Sequence, residues 1–371
     1  MAEARQRVTT PTPAGASPAP GVAQAAPAPP APRLPRWFPA YGLQRLGRAV
    51  FVVYVVTTVT FFLERLMPGN PIQVYVSTEV AQFGISYSQA TQMAAALFDI
   101  NLKEPLWRQY VRYLWGLLHG NMGTSLLSQG TPVSSLILQY LPWTLFSVTV
   151  ALLLSFALGL LLGMYMAYRR GAWSDHLLST LASIFHAVPN YLTAIMIIVV
   201  FGVELKWFQV GAMRGDLSPG VTPGVTLQFL GNALYHALLP ILTYVLTTAG
   251  TWALTMRSST IRSLEEDFVL AARSRGLPDR RIALAYVGRN SILPLFAQLT
   301  IAIGFVVGGS VLIEQIFVYQ GIGWILGQAI NQRDYPVMQG VFLVITISVV
   351  VANLLSDLVY SRLDPRIGRS R

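Results

Sequence analysis

The residues that could do chemistry in this chain are few, and their spacing excludes most of it. A phosphate-binding P-loop needs a lysine behind a glycine to reach the phosphates. The chain has two lysines; Lys103 follows Leu102 and Lys206 follows Leu205, so neither serves. There is no cysteine, which excludes disulfides and thiolate metal ligands. His119, His176, His186 and His236 form no HExxH or other short ligand pair, so no metal site and no catalytic residue is expected. Gly308, Gly309 and Ser310 are followed by Val311 and Leu312, so the last glycine of a GxSxG nucleophile elbow is missing. Close helix packing explains that glycine pair better.

Ionisable residues inside apolar stretches are functional candidates. Glu64, Arg65, Glu314 and Asp357 lie in or beside such stretches, each near an end, where all four are expected to reach headgroups. No acid falls near a midplane, which weighs against an ion-coupled transporter. His186, Pro189 and Asn190 sit inside an apolar run. Pro189 is expected to kink it, and His186 to pack.

These residues must be positioned by membrane helices. The 371 residues are 53% hydrophobic and only 11% charged, against about 25% charged in soluble domains. Six apolar runs, at about 46–67, 141–168, 177–203, 237–256, 292–313 and 337–360, each approach the ~20 residues that cross a bilayer. Nineteen of the 26 Lys and Arg fall in 1–48, 169–176, 257–290 and 361–371. The positive-inside rule puts those segments in the cytoplasm. The fold class is therefore an all-α integral membrane protein of six transmembrane helices with both termini cytoplasmic. The charge of +10 is read as membrane topology, with anionic lipid as a secondary partner and no nucleic acid.

Four regions follow. Residues 1–40 form an Ala/Pro-rich cytoplasmic tail, expected to be disordered and without the apolar core of a signal peptide. Residues 41–135 hold the first helix and an extracytoplasmic region. Residues 136–361 are a core of five transmembrane helices, and 362–371 a basic cytoplasmic tail. The extracytoplasmic region is partly helical: residues 104–119 place Leu106, Tyr110, Leu114 and Leu117 at helical spacing, and Trp107 and Trp115 suit a water–lipid boundary. That helix either rests on the outer surface of the bundle or touches a substrate or delivery protein. Gly321, Ile322, Gly323 and Trp324 suggest a re-entrant or interfacial turn.

The charged segment from Glu265 to Pro294 is the most informative. It cannot lie in lipid, and six arginines from Arg262 to Arg289 place it in the cytoplasm. Glu265, Glu266 and Asp267 complement a helix N-terminus. Phe268, Ala271 and Ala272 offer a small apolar face. Arg273, Arg275, Gly276, Leu277 and Pro278 end the helix, with Gly276 at the C-cap. A second helix from Asp279 leads back to the membrane. Such a unit either fits a groove on a soluble partner or rests on anionic lipid.

At this point the sequence resembles the permease subunits of ATP-binding-cassette importers, in the B-type subunits of the dipeptide, oligopeptide and nickel branch. The resemblance rests on Met67-Pro68-Gly69-Asn70-Pro71, on Glu104 to Tyr110, on His119 to Ser125, and on the 265–290 insert, which is similar to the EAA loop. It continues through Glu314-Gln315-Ile316-Phe317, Gly321-Ile322-Gly323, Arg333 to Gly340 and Asp364-Pro365-Arg366. Together these cover about 43–366. One departure stands out: the loop's namesake glutamate position holds Leu270, with acids at Glu266 and Asp267 instead.

The resemblance implies a transport subunit that is not itself an enzyme. It implies a homologous C-type permease, two ABC ATPase subunits and an extracytoplasmic substrate-binding protein as partners. ATP and Mg would be bound by the ATPases, and this chain would hold no cofactor. The coupling loop would use Glu266, Asp267, Ala271, Ala272, Arg273, Arg275, Gly276 and Leu277. Peptides, nickel or oligosaccharides are the substrate classes, and the bacterial inner membrane the location. An ATP-independent secondary transporter or a membrane scaffold is the alternative.

Overall fold

A computed structural model describes residues 38–66, 71–97, 104–126, 128, 130–304 and 311–363. The Ala/Pro-rich tail up to residue 37, Met67 to Asn70, Gly308 to Ser310, the side chain of Asp357, and the basic end from Asp364 lie outside the described residues. The chain falls into two units, 1–44 and 45–371. The described part of the first is only the opening of helix α1.

Helix is the only extended secondary structure among the described residues, apart from one isolated bridge between Thr124 and Pro132. In chain order the helices are α1 Phe38–Leu66, α2 Pro71–Phe83, α3 Tyr87–Leu97, α4 Leu106–Leu118, α5 Val133–Tyr168, α6 Trp173–Ala187 and α7 Asn190–Met196. They continue as α8 Leu227–Leu264, α9 Asp267–Ser274, α10 Asp279–Arg281, α11 Arg289–Ser291, α12 Leu293–Gly304, α13 Val311–Phe317, α14 Ile322–Gln332 and α15 Tyr335–Leu363. Two π-helical stretches, Ile197–Glu204 and Ile282–Gly288, extend α7 and join α10 to α11.

Four helices are long and apolar enough to cross a bilayer: Gln44–Leu66, Val133–Tyr168, Leu227–Leu264 and Tyr335–Leu355. A fifth crossing exists if α6 and the Asn190–Glu204 helix form one span, although they meet at 103°. The bend falls at Val188 and Pro189, both in extended conformation. This is the predicted proline site, but the chain breaks there instead of kinking, because Pro189 caps a new helix in place of continuing the old one. The expected run at 292–313 is occupied by the 12-residue α12, then six residues outside the described set, then α13.

Helices α5 and α8 share the largest interface. They run parallel: Trp143 faces Phe229 near one end, and Phe156 meets Trp252 edge-on at 5.2 Å further along. Gly159 and Gly163 make the close approach possible. A Cβ on Gly159 would overlap Trp252, and one on Gly163 would overlap Ala253 and Met256. Helix α6 runs antiparallel to α8, pairing Asp175 with Arg257 and Ala182 with Gly250. Helix α12 lies against α5 and α8 through Leu295, Phe156, Trp252 and Met256. Helix α15 opens beside the start of α5, where Gly340 meets Val133 and Ile137.

Candidate functional site

The loop between α8 and α12 is built from its own small core. Val269, Ala272, Ile282 and Val287 are buried together, with Leu264, Phe268 and Leu277 packed around them. These positions recur on one side of α9 and on the π-helical stretch facing it, so the two halves close on each other. Glu266, extended at ψ 148°, precedes α9, and Asp267 sits in its first turn, where an acid complements the helix dipole.

The end of α9 carries the signature that the sequence suggested. Gly276 adopts φ +71°. Its N–H donates to the Arg273 carbonyl at 2.9 Å, and the Leu277 N–H donates to the Ala272 carbonyl at 3.3 Å. With Leu277 folded onto Ala272, this is a Schellman cap. No neighbour lies within 4 Å of a Cβ placed on Gly276, so the glycine is required by its dihedral and not by crowding.

The cap and core decide which predicted residues remain free to meet a partner. Glu266, Asp267, Ala271, Arg273, Arg275 and Gly276 are exposed, and Leu277 is half-buried. Ala272 is buried, so it supports α9 from within. The apolar face expected from Phe268, Ala271 and Ala272 is therefore split. Phe268 and Ala272 turn inward with Val269, while Ala271 points out beside Leu270, which is 68% exposed. The spacing shows the reason: positions 269 and 272, together with 268, form the stripe, and 271 lies off it. Arg262, Glu265, Glu266 and Asp267 line a shallow polar cleft at the root of the loop. Gly288 seats the returning stretch on α5, since a Cβ there would press on Met164.

Two ion pairs that the sequence reading missed flank the loop. Asp175, at the start of α6, accepts from Arg257 of α8 twice: Nε to Oδ1 at 2.6 Å and Nη2 to Oδ2 at 2.8 Å. Arg170 Nη1 lies 3.0 Å from Glu265 Oε1 at the surface. A signal for the first existed, because Asp175 is the single acid between Glu104 and Glu204.

At the opposite end, Glu314 and Glu64 do not reach outward as expected. Glu314 is 1% exposed. Its carboxylate accepts from Thr144 Oγ1 at 2.7 Å, the Gly323 N–H at 2.8 Å and the Trp324 N–H at 3.1 Å, so it caps α14. Gln315 closes the same turn by donating to the Gly323 and Trp324 carbonyls. The turn around Gly321 and Gly323 is thus tied inward to α5. Burial, and then the Glu314 carboxylate, push the nearby Tyr319 phenol above its ordinary range. Asp334 plays the matching part for α15: it accepts from Ser125 Oγ at 2.6 Å, the Leu126 N–H at 2.8 Å and the Val337 N–H at 3.2 Å. Glu64 is 3% exposed, and Arg65 turns away from it to the Phe61 carbonyl and Gln109. Among the described residues no group of three or more His, Cys, Asp and Glu could hold a metal ion.

A helical bundle with several bilayer-length helices, buried polar caps at one end and an exposed, self-supported loop at the other has the architecture of a multi-pass membrane protein. Residues 159–369 match the family model described as binding-protein-dependent transport system inner membrane component. The chain belongs to that family, and within it to the B-type permease subunits of the dipeptide, oligopeptide and nickel branch of ABC importers. It is 34% identical over 327 residues to a putative peptide permease protein of Brucella ovis, covering 88% of this chain and 98% of that one. The oligopeptide transport system permease protein AppB of Bacillus subtilis is 30% identical over 330 residues, 88% and 99% of the two chains. The dipeptide transport system permease protein DppB of Escherichia coli is 28% identical over 342 residues, 89% and 98%. The chain is thus a multi-pass component of the bacterial inner membrane.

Proposed function

We propose that this subunit forms half of the translocation path of an ATP-driven importer for peptides. A homologous C-type permease forms the other half, an extracytoplasmic binding protein delivers substrate, and two separate ATPase subunits bind at the α9 end. That end faces the cytoplasm, as do both termini. ATP and Mg are held by the ATPases, and this chain carries no cofactor and performs no catalysis. The substrate class is supported by the names of the relatives, which are peptide, oligopeptide and dipeptide permeases.

The coupling role rests on one observation. α9 is fixed by its own cap and core, yet its outer side, with Glu266, Asp267, Leu270, Ala271, Arg273 and Arg275, is exposed. A short, rigid helix with an exposed flank suits insertion into a groove of a partner, as a lever needs. Purification of the tagged chain from its native membrane in mild detergent, followed by mass spectrometry, tests this. Two P-loop ATPases and a second permease are expected to co-elute. A cysteine introduced at Ala271 is expected to cross-link to an ATPase. Recovery of the chain alone, or as a homo-oligomer, would overturn the reading.

A further inference from the structure

The Asp175–Arg257 pair is better built than anything else at the α9 end. Asp175 is 1% exposed and the Arg257 side chain 29% exposed. The guanidinium meets both carboxylate oxygens in a fork, at 2.6 and 2.8 Å. The Gly171 N–H adds a third bond to Oδ2 at 3.0 Å, and Ser179 Oγ a fourth to Oδ1 at 3.4 Å. A two-point planar contact fixes orientation as well as distance, which a single contact does not. It ties the start of α6 and the α5–α6 turn to the part of α8 that carries α9.

Further contacts extend the tie along α6. The Ala182 backbone packs so closely on Gly250 that a Cβ there would have no room. His186 Nδ1 lies 2.9 Å from Thr251 Oγ1. On the other side, Gly159 and Gly163 of α5 press on Trp252, Ala253 and Met256. These ties stop at Val188 and Pro189, where the chain turns through 103°. Beyond the break, Ala194 and Ile197 pack through apolar side chains alone, in a core that takes in Val148 and Ala151 of α5, Ala237, Leu239 and Ile241 of α8, and Ile313, Phe317 and Tyr319.

We infer that Asp175 is a positioning residue for coupling. It locks α6 to α8, so that a displacement of α9 travels as one body to the Val188–Pro189 break instead of being absorbed in the α5–α6 turn. The inference rests on the importer reading above, and the motion is a rigid-body hinge.

The absence of native cysteine makes the test direct. Spin labels at Leu181→Cys on α6, Leu192→Cys on α7 and Arg262→Cys on α8 are placed pairwise in the full complex, reconstituted in nanodiscs. Distances are compared without nucleotide and after trapping with ADP and vanadate. In the parent, the 181–262 distribution is expected to stay fixed while 192–262 shifts. Asp175→Asn should broaden 181–262 and abolish the nucleotide-dependent shift of 192–262, with ATP hydrolysis retained. Asp175→Glu should restore both. Because Asp175→Asn leaves Arg257 unpaired and could impair folding, the double variant Asp175→Asn/Arg257→Gln, which removes both charges, is measured beside it and should behave like the single one.

A 181–262 distance that moves with nucleotide in the parent overturns the inference while leaving the importer reading intact. So does a double variant with the parent's distributions. A 192–262 distance that does not respond to nucleotide in a parent complex that hydrolyses ATP also overturns the inference, whereas failure to recover any complex with ATPases overturns the importer reading itself.

Discussion

Thr144 and Glu314, 170 residues apart in the chain, share a buried hydrogen bond of 2.7 Å between Oγ1 and Oε1. Thr144 also accepts the Ile322 N–H at 2.8 Å, so one hydroxyl serves both the acid and the backbone of the turn that the acid caps. Each buried donor left without an acceptor costs about 1–3 kcal/mol. Glu314→Ala orphans the Gly323 and Trp324 N–H groups together and is expected to lower the melting temperature of the detergent-purified protein most strongly. Thr144→Val, which removes a donor and an acceptor of similar size, should give a smaller drop, and Glu314→Gln an intermediate one. Equal melting temperatures for Glu314→Ala and the parent would show that the turn is held by something else.

Gly276 offers a cleaner test of the loop. Its left-handed conformation costs an L-residue about 1–2 kcal/mol, and no crowding adds to that. Gly276→Ala should therefore leave membrane insertion and melting temperature nearly unchanged, while raising amide hydrogen exchange across Asp267–Ser274. Transport coupled to the ATPases should fall, and Gly276→Val should lower it further. Unaltered exchange in α9 together with normal transport would remove the cap from the mechanism.

How much of this was legible in the sequence depended on how local the cause was. The α9 end at Gly276, the place of the bend at Pro189 though not its severity, and the amphipathic α4 were readable, because glycine dihedrals, proline geometry and helical spacing act within a few residues. The inward turn of Glu314 was not, because its partner Thr144 lies in another helix. Asp175 was overlooked for the same reason, with Arg257 82 residues away. Position along an apolar run suggests that an acid near its end can reach water. Only the packing of α13 against α5, α8 and α14 shows that it does not. The face of α9 was misjudged by one residue. Val269 joins Ala272 inside and leaves Ala271 outside, a difference of about 100° around a helix.

Glu64 tests what an uncompensated acid does in this fold. Its carboxylate is buried beside the Gln339 amide, and neither oxygen makes a well-formed hydrogen bond among the described residues. Burying a carboxylate with so few hydrogen bonds is unfavourable relative to a neutral group of the same shape. Glu64→Gln should therefore leave the melting temperature unchanged or raise it, opposite in sign to Glu314→Gln. A drop as large as that of Glu314→Gln would show that Glu64 is satisfied in the assembled protein and belongs to a network like that of Asp334.

Helix α4 presents two different faces, and its outer one makes the last prediction. On the inner side, Tyr110 lies 2.7 Å from Thr58 Oγ1, and Tyr110 and Tyr113 pack on Phe61 near the end of α1. That holds α4 at the level of the last two turns of a bilayer-length helix. On the outer side, Trp107, Val111, Trp115 and Leu118 form a stripe whose members are 56–81% exposed. Arg108 sits over the Trp107 ring and Arg112 pairs with Glu104, so cations border the stripe. Tryptophan beside arginine at a helix end suits the zone between lipid and water. In nanodiscs containing lipids brominated at shallow acyl positions, tryptophan fluorescence should be quenched. The quenched fraction should fall when Trp107 and Trp115 are both replaced by phenylalanine. Deep bromination should quench these two residues less. If replacing them leaves the quenched fraction unchanged at both depths, α4 faces a protein partner and not the bilayer surface, and the stripe is then the first place to look for contact with the delivery protein.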